Sequence, residues 1–184
     1  YRIGPLFTPP SLEGTLKRPT STGGANWGGA AFDATTGYLF VRAQNGTSID
    51  RVGRNDGSDP FTDVEYTNAF GERGGGGTGN RLNGIPMIKP PYATLTAIDL
   101  NKGEIAWQKP VGEGSPAIRK NPLLKDAVLP ERLGSDSKGG AILTASGLLF
   151  IGGGDKYLYA FDKMSGREVW RGELPYANTA TPMT

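Results

Sequence analysis

The chain has 184 residues, 36% of them apolar, with 20 basic and 18 acidic side chains and a net charge of +2. It contains no Cys and no His, which excludes disulfides, zinc–thiolate centres and imidazole catalysis within this chain. The charges are dispersed, so no nucleic-acid surface is indicated, and no apolar run reaches the length of a membrane-crossing helix. The 29 Gly and 14 Pro point to many short strands and tight turns. No helical period extends beyond about two turns.

In chain order, residues 1–22 (YRIGPLFTPPSLEGTLKRPTST) read as an extended connector, stiffened at Pro9 and Pro10, with LEGTL as a short strand. Residues 23–43 (GGANWGGAAFDATTGYLFVRA) give the first hairpin, with strands expected near Trp27–Phe32 and Tyr38–Ala43. Glycine pairs on both sides of Ala25-Asn26-Trp27 let another backbone come close. Residues 44–91 break the pattern with RNDGSDP, GERGGGGTGN and IKPPY. They are too long for an ordinary loop and read as an insertion, functional or disordered, between two hairpins of one sheet. Residues 92–109, with ATLTAIDLNKGEIAWQK, complete that sheet. Residues 110–137 are a second connector. Residues 138–170 (KGGAILTASGLLFIGGGDKYLYAFDKMSGREVW) hold four strands, with turns at Ala145–Gly147, Gly152–Asp155 and Lys163–Gly166. Residues 171–184 open a further unit, and both ends read as cuts through a longer protein.

A repeat organises this order. Ala97–Trp107 (AIDLNKGEIAW) and Ala160–Trp170 (AFDKMSGREVW) both spell Ala-x-Asp-x-x-x-Gly-x-x-x-Trp. Asp99 and Asp162 end a strand and open a turn, their carboxylates accepting backbone N–H groups ahead. Gly103 and Gly166 supply the positive φ that the turn requires. Trp107 and Trp170 end the returning strand, where a flat ring fills the space between two packed sheets. A third such turn, Asp33–Gly37, lacks the Trp. Four antiparallel strands in succession make a propeller blade. The expected fold is therefore all-β: a β-propeller fragment of about two four-stranded blades plus connectors. Such a fragment, alone, leaves broad apolar faces uncovered and should be marginal or self-associating.

Two tempting motifs carry no chemistry. The run Gly74–Gly79 (GGGGTG) lacks the Lys-Ser/Thr and the strand-to-helix setting of a phosphate loop. The acidic group Asp50, Asp56, Asp59, Asp63 and Glu65 does not have calcium-loop spacing and reads as solvated.

The repeat, with GGANWGG, KGGAILTASGLLFIG and TPPSLEGTLKRP, resembles the pyrroloquinoline quinone (PQQ) dehydrogenases, in particular the membrane glucose dehydrogenase branch. The resemblance implies an eight-bladed propeller in the periplasm that oxidises a sugar or alcohol, with PQQ and a calcium or similar ion at its centre. It also implies that the remaining blades, the catalytic Asp, the metal ligands and an electron acceptor such as a quinone or cytochrome lie outside this chain. Asn26 matches a position whose side chain contacts the quinone, and Trp27 follows as a pocket wall. Lys138-Gly139-Gly140 occupies the matching start in the second blade, where some relatives place Trp and a Lys could pair with a PQQ carboxylate. Other readings remain open: a non-catalytic propeller of the same repeat acting as a protein-binding scaffold, or a propeller lectin or hydrolase.

Overall fold

A computed structural model describes residues 1–20, 23–57, 61, 63–68 and 81–183. Its described strands are, in order, β1 Thr15–Lys17, β2 Ala30–Asp33, β3 Tyr38–Gln44, β4 Ser48–Asp50, β5 Val52–Arg54, β6 Tyr66–Asn68, β7 Arg81–Leu82, β8 Ile85–Pro86, β9 Ala93–Asp99, β10 Glu104–Pro110, β11 Ala141–Leu143, β12 Leu148–Gly152, β13 Tyr157–Asp162 and β14 Glu168–Glu173. One four-residue helix, α1 (Pro116–Arg119), and a 3-10 turn at Pro122–Leu124 lie between β10 and β11.

The architecture is that of two propeller blades. Strands β2, β3, β9 and β10 form one antiparallel sheet, and β11, β12, β13 and β14 form another. Their edge strands β2 and β11 lie beside each other. Period-2 alternation makes each strand two-faced. The facing sides meet in one core: Ala31, Phe40, Leu95, Ala97 and Trp107 from the first sheet, and Leu149, Ile151, Tyr159 and Phe161 from the second. Removing the larger of these side chains from water is worth about 1.5–3 kcal/mol each, so the two sheets stabilise one another.

Both Trp residues owe their direction to a bulge. In β10 the pairing steps from Ile105↔Ile98 to Trp107↔Ala97, so Ala106 is an extra residue. In β14 it steps from Glu168↔Phe161 to Trp170↔Ala160, so Val169 is extra. An extra residue kinks its strand and resets which face the next side chain takes.

The three Asp-x-x-x-Gly turns share one geometry. The N–H groups of Gly37, Gly103 and Gly166 donate to the carbonyls of Asp33, Asp99 and Asp162 at 2.8, 2.8 and 2.9 Å. The glycine φ angles are 73°, 71° and 64°. Each carboxylate accepts a backbone N–H ahead of it: Thr35 at 3.1 Å, Asn101 at 3.0 Å and Ser165 at 2.8 Å.

Several details differ from the reading of the sequence. The hairpin expected over 23–43 begins its strand β2 at Ala30, not Trp27, because Asn26–Gly29 forms a turn closed by Gly29 N–H to the Asn26 carbonyl at 3.1 Å. The N-terminal segment is tied to the insertion: β1 pairs antiparallel with β4, with Lys17 Nζ 3.0 Å from Asp50. The insertion itself holds the two small hairpins β5–β6 and β7–β8. The run Gly74–Gly79 and Asp59 lie outside the described residues. A second cluster, Tyr92, Ile118 and Leu133, seats α1 against the connector.

Candidate functional site

The segments that lead into the two edge strands come together. Gly28, before β2, lies against Lys138 and Gly140, before β11, so closely that a Cβ on Gly28 would collide with the Lys138 carbonyl and one on Gly140 with the Gly28 carbonyl. No residue larger than glycine fits at either position without moving a backbone. The C-terminal stretch joins them: Gly140 N–H donates to Thr181 Oγ1 at 2.8 Å, and Thr181 Oγ1 donates to the Gly28 carbonyl at 3.4 Å. Gly139 is buried against Ala180, whose carbonyl oxygen would lie 2.6 Å from a Cβ there.

Side chains with chemistry fringe this junction. Lys138 is exposed and has no hydrogen-bond or ion-pair partner among the described residues. Trp27 is 81% exposed. Asn26 is half-buried, and its Oδ1 accepts the Trp27 backbone N–H at 2.7 Å. Trp107, by contrast, is covered: its indole N–H donates to the Lys163 carbonyl at 3.0 Å, and its ring roofs Gly166. Trp170 stays 51% exposed, edge-on to Phe150.

Polar side chains on the buried face of β3 reach across to the second sheet. Arg42 donates through Nη1 to the Gly152 carbonyl at 2.5 Å, and through Nη2 to the carbonyls of Ser135 and Gly153 at 2.7 and 2.9 Å. Burial pulls the guanidinium down to about 10, with the charges of Asp136 and Asp155 opposing, so it stays protonated at neutral pH. Gln44 Nε2 donates to the Ser137 carbonyl at 2.9 Å.

Around these lies a denser ionic network. Asp155 accepts from the Glu113 and Tyr157 backbone N–H groups and, at 2.9 Å, from the Tyr159 hydroxyl. Burial first, and the Asp155 charge second, push the Tyr159 phenol well above its usual range. Arg132 lies 5.0 Å over the Tyr159 ring and pairs with Glu168 at 2.8 Å and Glu113 at 3.0 Å. A cleft of about 650 Å³ opens beside this network, lined by Tyr92, Ser135, Asp136, Asp155 and Tyr157 among others. Among the described residues, no cluster of acidic side chains is arranged to hold a metal ion.

The sequence reading missed Arg42, Gln44 and Thr181. One signal was present: in YLFVRAQ the alternation that buries Phe40 also buries Arg42 and Gln44. Polar residues on the core face of a strand must find partners, and here the partners are backbone carbonyls of the connector before β11, at Ser135 and Ser137, and of the end of β12 and its turn, at Gly152 and Gly153.

The family model for the glucose/ethanol/alcohol dehydrogenase β-propeller domain, PQQ, matches residues 1–184. The chain is 33% identical over its whole length to the quinate/shikimate dehydrogenase (quinone) of Acinetobacter baylyi, and covers 24% of that protein. Over 97% of its length it is 29% identical to the quinoprotein glucose dehydrogenase of Escherichia coli, again covering 24%. It thus spans about a quarter of the length of these relatives. In three dimensions, 91% of the chain superposes on 21% of the quinohemoprotein alcohol dehydrogenase of Comamonas testosteroni, with a TM-score of 0.55 at 18% identity, which speaks to the fold. The twice-repeated turn-and-Trp unit, the paired four-stranded sheets and the family match agree: the chain belongs to the PQQ family, the β-propeller domain of the glucose, ethanol and alcohol dehydrogenases.

Proposed function

We propose that this chain forms part of the cofactor wall of a PQQ-dependent dehydrogenase that oxidises a sugar or alcohol. The observation that supports this most is the junction at the edge strands. Gly28, Gly139 and Gly140 pack backbone on backbone, and Lys138, Trp27 and Asn26 fringe the seam. The donor set suits the cofactor. PQQ carries three carboxylates and an ortho-quinone, and an unpaired ammonium, an amide and an exposed indole are groups that bind such a molecule.

Bound PQQ supplies the redox chemistry, taking up hydride from the substrate. The chain's own residues have simpler tasks. Lys138 pairs with a carboxylate. The Asn26 amide donates or accepts at the cofactor edge. Trp27 screens the face from water. The glycines let the two walls approach without side chains between them. The catalytic carboxylate, the calcium ligands and the electron acceptor, a quinone or cytochrome, belong to parts of the protein beyond these residues, in a periplasmic setting. Trp107 and Trp170 serve as docking residues between neighbouring blades.

The alternative, a scaffold of the same fold, needs no cationic and amide groups around a glycine seam. The discriminating experiment is PQQ titration of the full-length protein with calcium, followed by absorbance and by dye reduction over a panel of sugars and alcohols. Lys138→Ala and Asn26→Ala should each weaken PQQ binding about tenfold, the worth of one charge-assisted hydrogen bond. No binding at saturating PQQ would discard the dehydrogenase reading in favour of the scaffold.

A further inference from the structure

The junction is held at its spacing from behind. The end of β3 touches both wall segments at once. The Gln44 backbone N–H donates to the Gly24 carbonyl at 2.9 Å, two residues before Asn26. Its side-chain Nε2 donates to the Ser137 carbonyl at 2.9 Å, one residue before Lys138. Two residues earlier on the same face, Arg42 ties Ser135 to the Gly152–Gly153 turn through three carbonyls. Gln44 and Arg42 are 8% and 5% exposed, so these bonds are shielded from water and strong.

We infer that Gln44, supported by Arg42, is a positioning residue that sets the distance between the Asn26 segment and the Lys138 segment, and so the placement of the Lys138 ammonium. This rests on the functional reading for its consequence at the cofactor, but the positioning itself is a property of the chain. One residue bridges both walls, by backbone on one side and by side chain on the other. Loss of the side-chain amide frees only the Lys138 side, because the backbone bond to Gly24 survives. The remaining acceptor, the Ser137 carbonyl, is then buried without its donor, and the segment shifts to find another.

The test uses Gln44→Met, which preserves length and apolar packing and removes the donor. In the full-length protein, amide hydrogen exchange at Gly139 and Gly140 should quicken at least about tenfold, while exchange along β9 stays unchanged. The dissociation constant for PQQ should rise about tenfold, in line with the loss of a hydrogen bond that orients a ligand's partner. Lys138→Met should cost a similar factor, and the double variant should bind no worse than Lys138→Met alone, because Gln44 acts through Lys138. Arg42→Lys should restore part of what Arg42→Ala loses. Unchanged exchange in Gln44→Met, or a double variant whose losses multiply, would overturn the inference. A wild-type protein that binds no PQQ would sink the functional reading instead, and the exchange measurement would still decide the positioning role.

Discussion

The two sheets carry the same eleven-residue unit and treat it differently. Trp107 is 9% exposed and lies over Gly166 of the second sheet, whereas Trp170 is 51% exposed. The sequence around each ring is equivalent, the bulge before each is equivalent, and the turn that precedes each is equivalent. What differs is the neighbour. A propeller Trp therefore has no fixed burial of its own; the adjoining sheet supplies it. This is the physical content of repeat stability, in which each interface contributes separately.

The contrast can be broken first at the rings. Trp107→Ala should cost about 3–5 kcal/mol, the usual result of emptying a packed aromatic site. Trp170→Ala in the isolated chain should cost clearly less, and the difference should shrink in the full-length protein if a further sheet covers that ring. Chemical denaturation of both variants in both settings measures this.

The two turn glycines differ in the same way, one under a ring and one open. At Gly166 a Cβ would lie 2.6 Å from Trp107 Cδ2, while at Gly103 nothing lies within 4 Å. Both have positive φ, so Ala at either pays a left-handed backbone cost of about 1–2 kcal/mol. Gly166→Ala should add about 1–3 kcal/mol for the displaced ring. Equal losses at the two positions would mean that the ring gives way freely.

The turn carboxylates differ in where they find their partners. Lys163 of the second sheet reaches Asp33 of the first at 2.6 Å, and that hydrogen bond, with those of Thr35 and Thr36, holds the carboxyl well below its ordinary 3.8. Asp162 is lowered too, chiefly by Ser165 within its own turn. For both, the folded carboxyl binds its proton more weakly than the unfolded one. Their stabilisation is therefore complete above the unfolded value and is lost as pH falls through and below about 4. Lys163→Met should flatten the acid side of the stability profile more than Ser165→Ala does, as read from melting temperature between pH 2 and 6. The smallest effect is expected at Trp27, where an 81% exposed ring should leave stability within about 0.5 kcal/mol on change to Ala.

The propeller fold was legible because the repeat states its own mechanics. Asp, Gly and Trp at fixed offsets specify a turn, a backbone sign and a packing ring, and each is a local demand. The insertion was far less legible. Strands of two or three residues, such as β7 and β8, have no alternation to read, and β1 pairs with β4 across more than thirty residues of chain. The glycine seam at residues 28 and 139–140 showed in the sequence as paired glycines, but the surfaces they approach did not. Arg42 and Gln44 were the hardest of all. Their partners lie 93 to 111 residues away and are main-chain carbonyls, which leave no mark in the side-chain sequence.

Trp107 of the first sheet covers Gly166 of the second, while Trp170 stays half exposed and Gly103 has open space above it. A sheet that gives a ring on one side and receives one on the other associates directionally, head to tail. Such contacts have no two-fold partner that ends the series. They finish only when the last giver meets the first receiver in a ring, and otherwise continue without limit. A single Trp–Gly pair, repeated around a ring, leaves neither an uncovered ring nor an open glycine.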